Sequence, residues 1–151
     1  MKKERLIELL HEVNTKREEG YNCAEGVFWG LSQVLDLDAP ISAVTGFGGG
    51  VAGTGSVCGA LSGAITIIGI YVGRTEPGDV AGKNKAMNIS RKINDGFVEQ
   101  MGTQLCKEIL GHMPGTQLKG SIKGINPKCV QAVAVAIEQA LSVIEEIDMQ
   151  E

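Results

Sequence analysis

Cys23, Cys58, Cys106 and Cys129 are the residues of this chain best suited to chemistry. As thiolates they can act as nucleophiles, metal ligands or two-electron redox carriers. Cys58 lies inside a glycine-rich run from Gly46 to Gly63, with glycines at 46, 48, 49, 50, 53, 55, 59 and 63. No Asp, Glu, Lys or Arg occurs from Ala39 to Gly73. A sulfur in that stretch sits among bare backbone amides with little side-chain bulk, which suits a close-fitting, electron-rich group.

Capping signals place the other cysteines. Asn22 is a good N-cap, and Glu25 three residues on completes a capping-box pair around Cys23. Ser56 is expected to cap the helix that carries Cys58. Asn126 followed by Pro127 starts the last helix, three residues before Cys129. Three cysteines thus fall in first turns, where unpaired N–H groups and the helix dipole favour thiolate. Cys106 is expected near the C-terminal end of the fourth helix, where the dipole acts the other way and Lys107 or an opposing helix start must compensate. The competing reading is four small buried hydrophobes. No Cys-x-x-Cys pair occurs, and the spacing matches no zinc finger or ribbon, so any shared site must be assembled from separate helices.

Other signals are weaker. Gly48-Gly49-Gly50-Val51-Ala52-Gly53 formally matches G-x-G-x-x-G. No strand precedes it, no acid lies ~20 residues on, and no P-loop lysine is present. The glycines fit better as positions of positive φ and close backbone approach, with Gly48, Gly49, Gly50 and Gly59 as the candidate cofactor-binding backbone. His11 is expected to face solvent, and His112 to reach the last carbonyls before Gly111 or to ligate a metal. Glu25 reads as a capping residue, Phe28 and Trp29 as core or interface aromatics. Lys16-Arg17-Glu18-Glu19 reads as a solvated helix end. No Ser–His–acid set or paired carboxylates are legible, so hydrolase chemistry has no support.

The elements that must position the thiols are helical throughout. Leu6, Leu9, Leu10 and Val13 mark a first helix from about residue 2 to residue 19, stopped by Gly20. A second carries Val27, Phe28, Leu31, Val34 and Leu35, and Ile41 to Thr45 suits one short turn. A third, from about Val57 to Tyr71, is apolar all round and should be central. A fourth is expected from Asp79 to Gly111, with Ala86, Ile89, Ile93, Phe97, Met101, Leu105 and Ile109 as its core stripe. The last follows Asn126, and the acids Glu145, Glu146 and Asp148 at its C-terminal end should fray it. The fold expected over residues 1–151 is an all-α, single-domain bundle of about five helices, with a glycine-rich loop before a buried central helix.

Composition bounds the function classes. Apolar content of 43% and charged content of 21% suit a soluble globular chain. A net charge of −4 argues against a nucleic-acid footprint. The N-terminus shows no signal-peptide pattern. Val57 to Gly73 is shorter than the ~20 residues of a bilayer helix, so no membrane span is expected. A reducing cytoplasm follows, where four cysteines are not structural disulfides.

The ordered motifs Asn22-Cys23-Ala24-Glu25, Gly46-Phe47-Gly48-Gly49-Gly50, Cys58-Gly59-Ala60-Leu61-Ser62-Gly63, Leu105 to Gly111 and Lys128-Cys129-Val130 resemble the C_GCAxxG_C_C family. That family of redox-active proteins is named for four cysteines and the CGAxxG motif. The resemblance implies electron transfer or thiol redox chemistry, often beside transporter or oxidoreductase systems, with a redox partner protein. Two forms of the site follow: an iron–sulfur cluster on the four thiolates, or a thiol pair that cycles through a disulfide. The alternatives are a four-thiolate zinc site that staples helices, and a non-catalytic anion or small-molecule binder built on the glycine loop. A homo-oligomer through the small-residue helix or Trp29 is compatible with all of these.

Overall fold

The computed structural model of the protein describes residues 1–115 and 125–150. Among the described residues seven helices follow in order: α1 (Lys3–Glu18), α2 (Cys23–Val34), a 3-10 helix (Ile41–Phe47), α3 (Gly59–Val72), α4 (Val80–Met101), α5 (Cys106–Leu110) and α6 (Pro127–Gln150). The all-α class is as expected, and the number of helices exceeds the five expected. The loop expected from His112 to Ile125 lies, over 116–124, outside the described residues. Among the described residues no helix is long and apolar enough to cross a membrane.

One of the two additional helices is the short turn expected at Ile41 to Thr45, and two glycines explain the other, α5. Gly102 takes a left-handed conformation, φ +81°, and closes α4 right after Met101. Leu105 then caps α5, which ends at Gly111, again left-handed at φ +78°. The four-residue apolar rhythm runs on through Leu105 and Ile109 and hides the break. Cys106 therefore sits in the first turn of α5, not near the end of α4 as the periodicity suggested. All four cysteines now lie at helix starts: Cys23 is the first residue of α2, Cys58 the N-cap of α3, and Cys129 is in the first turn of α6.

The caps that hold these starts were readable. The Asn22 side chain accepts from the Glu25 amide at 2.9 Å while the Glu25 carboxylate accepts from the Asn22 amide at 3.0 Å. Asp79 accepts from the Gly82 amide at 2.9 Å, and Asn126 Oδ1 from the Lys128 amide at 2.8 Å. Each such cap contributes about 1 kcal/mol. Ser56 does not cap α3; that position belongs to Cys58, whose sulfur makes no full capping hydrogen bond.

α3 is central along most of its length, packing on α2, α4, α6 and the 3-10 helix. Leu61, Ala64, Ile67 and Ile68 are buried, whereas Ile70 and Tyr71 at its end are exposed. α1 packs beside α2 and α6 and runs antiparallel to both. A β-carbon on Gly30 of α2 would meet Val13 at 2.6 Å, Ile137 at 3.7 Å and Leu9 at 3.8 Å. At one end of this trio the Met1 amino group pairs with Glu145. With Lys92 Nζ on Glu146 at 3.0 Å, that pair offsets two of the three acids expected to fray α6, which continues to Gln150.

Candidate functional site

The glycine run folds into a wall. Gly49, Gly50, Val51, Ala52 and Gly53 all have positive φ, between 53° and 75°. For Val51, β-branched, and for Ala52 this left-handed backbone costs ~1–2 kcal/mol each. The turn is held by amides of Gly55 and Ser56 donating to the carbonyls of Gly49 and Gly50 at 3.0 and 2.8 Å. The Thr54 hydroxyl adds a 2.8 Å bond to Gly50 O.

That wall receives the cysteine-bearing elements directly. A β-carbon on Gly50 would stand 2.6 Å from the β-carbon of Cys106. One on Gly59 would stand 2.6 Å from Cys23 Sγ, and one on Gly48 2.5 Å from the Asn22 side chain that caps Cys23's helix. Gly49 instead meets the backbone of Gly53 at 2.8 Å, inside the turn. Bare backbone at 48, 50 and 59 is what lets α2 and α5 approach.

An antiparallel bridge, Val57 with Leu105, ties the segments that carry Cys58 and Cys106. The Cys58 amide donates to Gln104 O at 2.7 Å and the Cys106 amide to Ser56 O at 2.7 Å. Alternation along the paired segments turns Val57 and Leu105 to one side, Cys58 and Cys106 to the other. One residue pair leaves no alternating pattern along the chain, so the bridge has no local signature.

All four cysteines are free thiols, Cys58 and Cys106 buried and Cys23 and Cys129 half-buried. Burial first, then the charge of Cys23, pushes Cys58 up to about 12; the Ala60 and Leu61 amides pull the other way and lose. Cys106 is pushed up to about 11 by burial, then by Cys23 and Cys129. Cys129 is raised by burial and by Cys23, and lowered by Arg17. Helix starts were expected to favour thiolate at Cys58 and Cys129; desolvation outweighs the dipole at both. Cys23 acts on each of the other three, which makes it the hub of the group.

Arg17 departs from its expected place in a solvated helix end. It is 8% exposed, and its Nε and Nη1 are buried with no hydrogen-bond partner among the described residues. The signal was present: Arg17 continues the buried stripe Leu9–Val13 by one more step of four.

A family model described as "Putative redox-active protein (C_GCAxxG_C_C)" matches residues 21–143. The chain belongs to this family. A protein of Archaeoglobus fulgidus described as uncharacterized is 28% identical over 158 residues, covering 95% of this chain and 93% of its own length. No solved structure matches. The family match takes in all four cysteines and the glycine run, and leaves Arg17 outside.

The remaining candidates fall outside the thiol group. Glu25 is a capping residue whose second oxygen accepts from the Thr45 hydroxyl at 3.0 Å. His112 is exposed, with Nδ1 2.9 Å from Met113 O. His11 is exposed as expected. Trp29 is half-buried beneath Lys16 Nζ, 5.0 Å from the ring centre. Among the described residues no group of three or more His, Cys, Asp or Glu is arranged so that it could hold a metal ion.

Proposed function

We propose that the protein is a two-electron thiol–disulfide redox carrier in which Cys23 is the exchanging thiol and Cys58 its buried partner. The observation that carries this reading is the seat of Cys23 Sγ on Gly59, the residue next to Cys58. Half-exposure lets Cys23 meet a substrate while burial keeps Cys58 from doing so. The Cys23 thiolate attacks a substrate disulfide, a sulfur–sulfur bond breaks, and one substrate thiol leaves with the proton that Cys23 gave up on ionising. Cys58 then loses its proton to the departing sulfur and attacks Cys23 in the mixed disulfide, releasing the second thiol. The protein dithiol has become a disulfide and the substrate disulfide two thiols; a dithiol-type reductant returns both electrons. The raised pKa of Cys58 limits its ionised fraction but makes it the stronger nucleophile once ionised.

A four-thiolate iron–sulfur or zinc site needs sulfurs presented together as a ligand set. The described side chains form no such set.

Equilibration of the reduced protein with glutathione redox buffers, followed by peptide mapping, tests the proposal. The expected result is a reversible loss of two thiols with Cys23 in every bridge. Four thiols that stay free across the buffer range, or a bridge that omits Cys23, overturn it. Iron and sulfide assays after anaerobic reconstitution should give no stoichiometric cluster.

A further inference from the structure

A buried guanidinium with unmet donors requires an anion. Arg17 is such a group. Its neighbour Lys16 is served already, by Glu19 at 3.9 Å and by the rings of Trp29 and Tyr21 at 5.0 and 5.7 Å. Lys16 points outward from the last turn of α1 and Arg17 inward.

The helix register shows where the Arg17 head lies. Leu9 of α1 and Ile137 of α6 meet at the level of Gly30. Eight residues from that level in one direction come Met1 and Glu145, which are in contact. Eight residues in the other direction come Arg17 and Cys129. The Arg17 stem crosses bare backbone at Gly26, where a β-carbon would meet its Cγ at 3.1 Å and its Cδ at 3.4 Å. Gly26 lies one turn inside Cys23 on α2, so the head lies at the end of the trio where α2 and α6 both begin. Two N-termini, each with partial positive charge, and one guanidinium then face the half-exposed thiols Cys23 and Cys129. The nearest acids of that turn, Glu18 and Glu19, are exposed and make no bond to Arg17.

We propose that Arg17, with the first turns of α2 and α6, forms an anion subsite beside Cys23 and Cys129 that takes the carboxylate or oxyanion group of a small thiol-reactive molecule. That the molecule is the redox substrate rests on the function proposed above; the subsite itself does not. Three N–H bonds on Nε and Nη1 stand ready as donors. The subsite would select small anionic disulfides over neutral ones.

Alkylation separates this from other roles of Arg17. Iodoacetate carries the anion and iodoacetamide does not, and peptide mapping reads the rate at Cys129. The expected iodoacetate-to-iodoacetamide ratio in the folded protein exceeds that of the same thiol in denaturant by roughly tenfold or more. Inorganic phosphate should lower the folded ratio, and Arg17→Gln should abolish the excess while Arg17→Lys retains part of it. A ratio equal to that of the denatured chain, or indifference to phosphate, overturns the proposal without any variant being needed. If Arg17→Gln slows both reagents equally, Arg17 serves only the thiolate and the subsite is refuted. The ratio reports anion binding whether or not Cys23 and Cys58 cycle.

Discussion

The sulfur of Cys23 rests on the α-carbon of Gly59. A β-carbon at that position would lie 2.6 Å from the sulfur and 2.7 Å from the Phe47 carbonyl oxygen. The carbonyl is fixed backbone, so the strain of an added methyl falls on α3 and on the Cys23 side chain. Gly59→Ala is expected to destabilise the fold by about 1–3 kcal/mol, the usual penalty for overpacking, and to lower the yield of the Cys23–Cys58 bridge. Gly46→Ala is the control: its β-carbon would meet nothing within 4 Å, and its effect should stay within about 0.5 kcal/mol. Denaturant melts of both variants check the first expectation, thiol mapping the second.

Cys23 raises the pKa of each of the other three thiols. Cys23→Ser removes that charge, so the alkylation profiles of Cys58, Cys106 and Cys129 should all shift to lower pH. Cys129→Ser should leave the profile of Cys58 in place, because burial, Cys23 and Cys106 are what raise it. A Cys58 profile that moves equally in both variants would remove Cys23 from its central place. The measurement is site-resolved iodoacetamide labelling across pH.

The helix starts were legible because capping is local. Asn22 with Glu25, Asp79, and Asn126 with Pro127 each announce a first turn within four residues, and each is found. Cys106 was misplaced because the apolar rhythm of α4 continues through Leu105 and Ile109, while the stop depends on one left-handed glycine. The glycines of the left-handed turn were legible as positions of positive φ, and Gly49, Gly50 and Gly53 take it. Val51 and Ala52 within the turn and the Val57–Leu105 bridge have no local signature, since one is backbone that Val51 disfavours and the other joins segments far apart. Arg17 was legible only in phase, as the next residue of the Leu9–Val13 stripe. Its charge argued for solvent, and the bare surface at Gly26 that admits it belongs to another helix.

The left-handed turn gives opposite expectations at adjacent residues. Val51 sits at φ +63° and is half-exposed. Val51→Gly relieves ~1–2 kcal/mol of backbone strain but adds ~0.5–1 kcal/mol of unfolded-state freedom, leaving a net gain of roughly 0.5–1 kcal/mol. Gly50→Ala adds strain at φ +68° and drives a methyl into Cys106 and the Ser56 backbone. It should cost about 2 kcal/mol or more and expose Cys106 to labelling. Melting curves that rank the two variants the other way would mean the turn is not what docks α5.

The buried thiols make the fold weaker in alkali. Cys58 moves from 9.0 to about 12 on folding, chiefly by burial and then by Cys23. Cys106 moves from 9.0 to about 11, again chiefly by burial. Above pH 9 the unfolded chain releases protons that the folded chain keeps, so fewer protons are bound after unfolding and stability falls as pH rises. The contribution is whole below pH 9 and fades as pH climbs toward 11 for Cys106 and 12 for Cys58. Cys58 alone can supply a slope of up to about 1.4 kcal/mol per pH unit. Lysines and tyrosines titrate in the same range, so the difference between wild type and Cys58→Ala isolates the thiol. Urea melts at pH 8, 9.5 and 10.5 should show the wild type losing more stability than the variant over that span. Parallel losses would mean that the Cys58 thiol ionises alike in the folded and unfolded chain, and with that its burial would no longer explain why Cys23 is the thiol that meets the substrate.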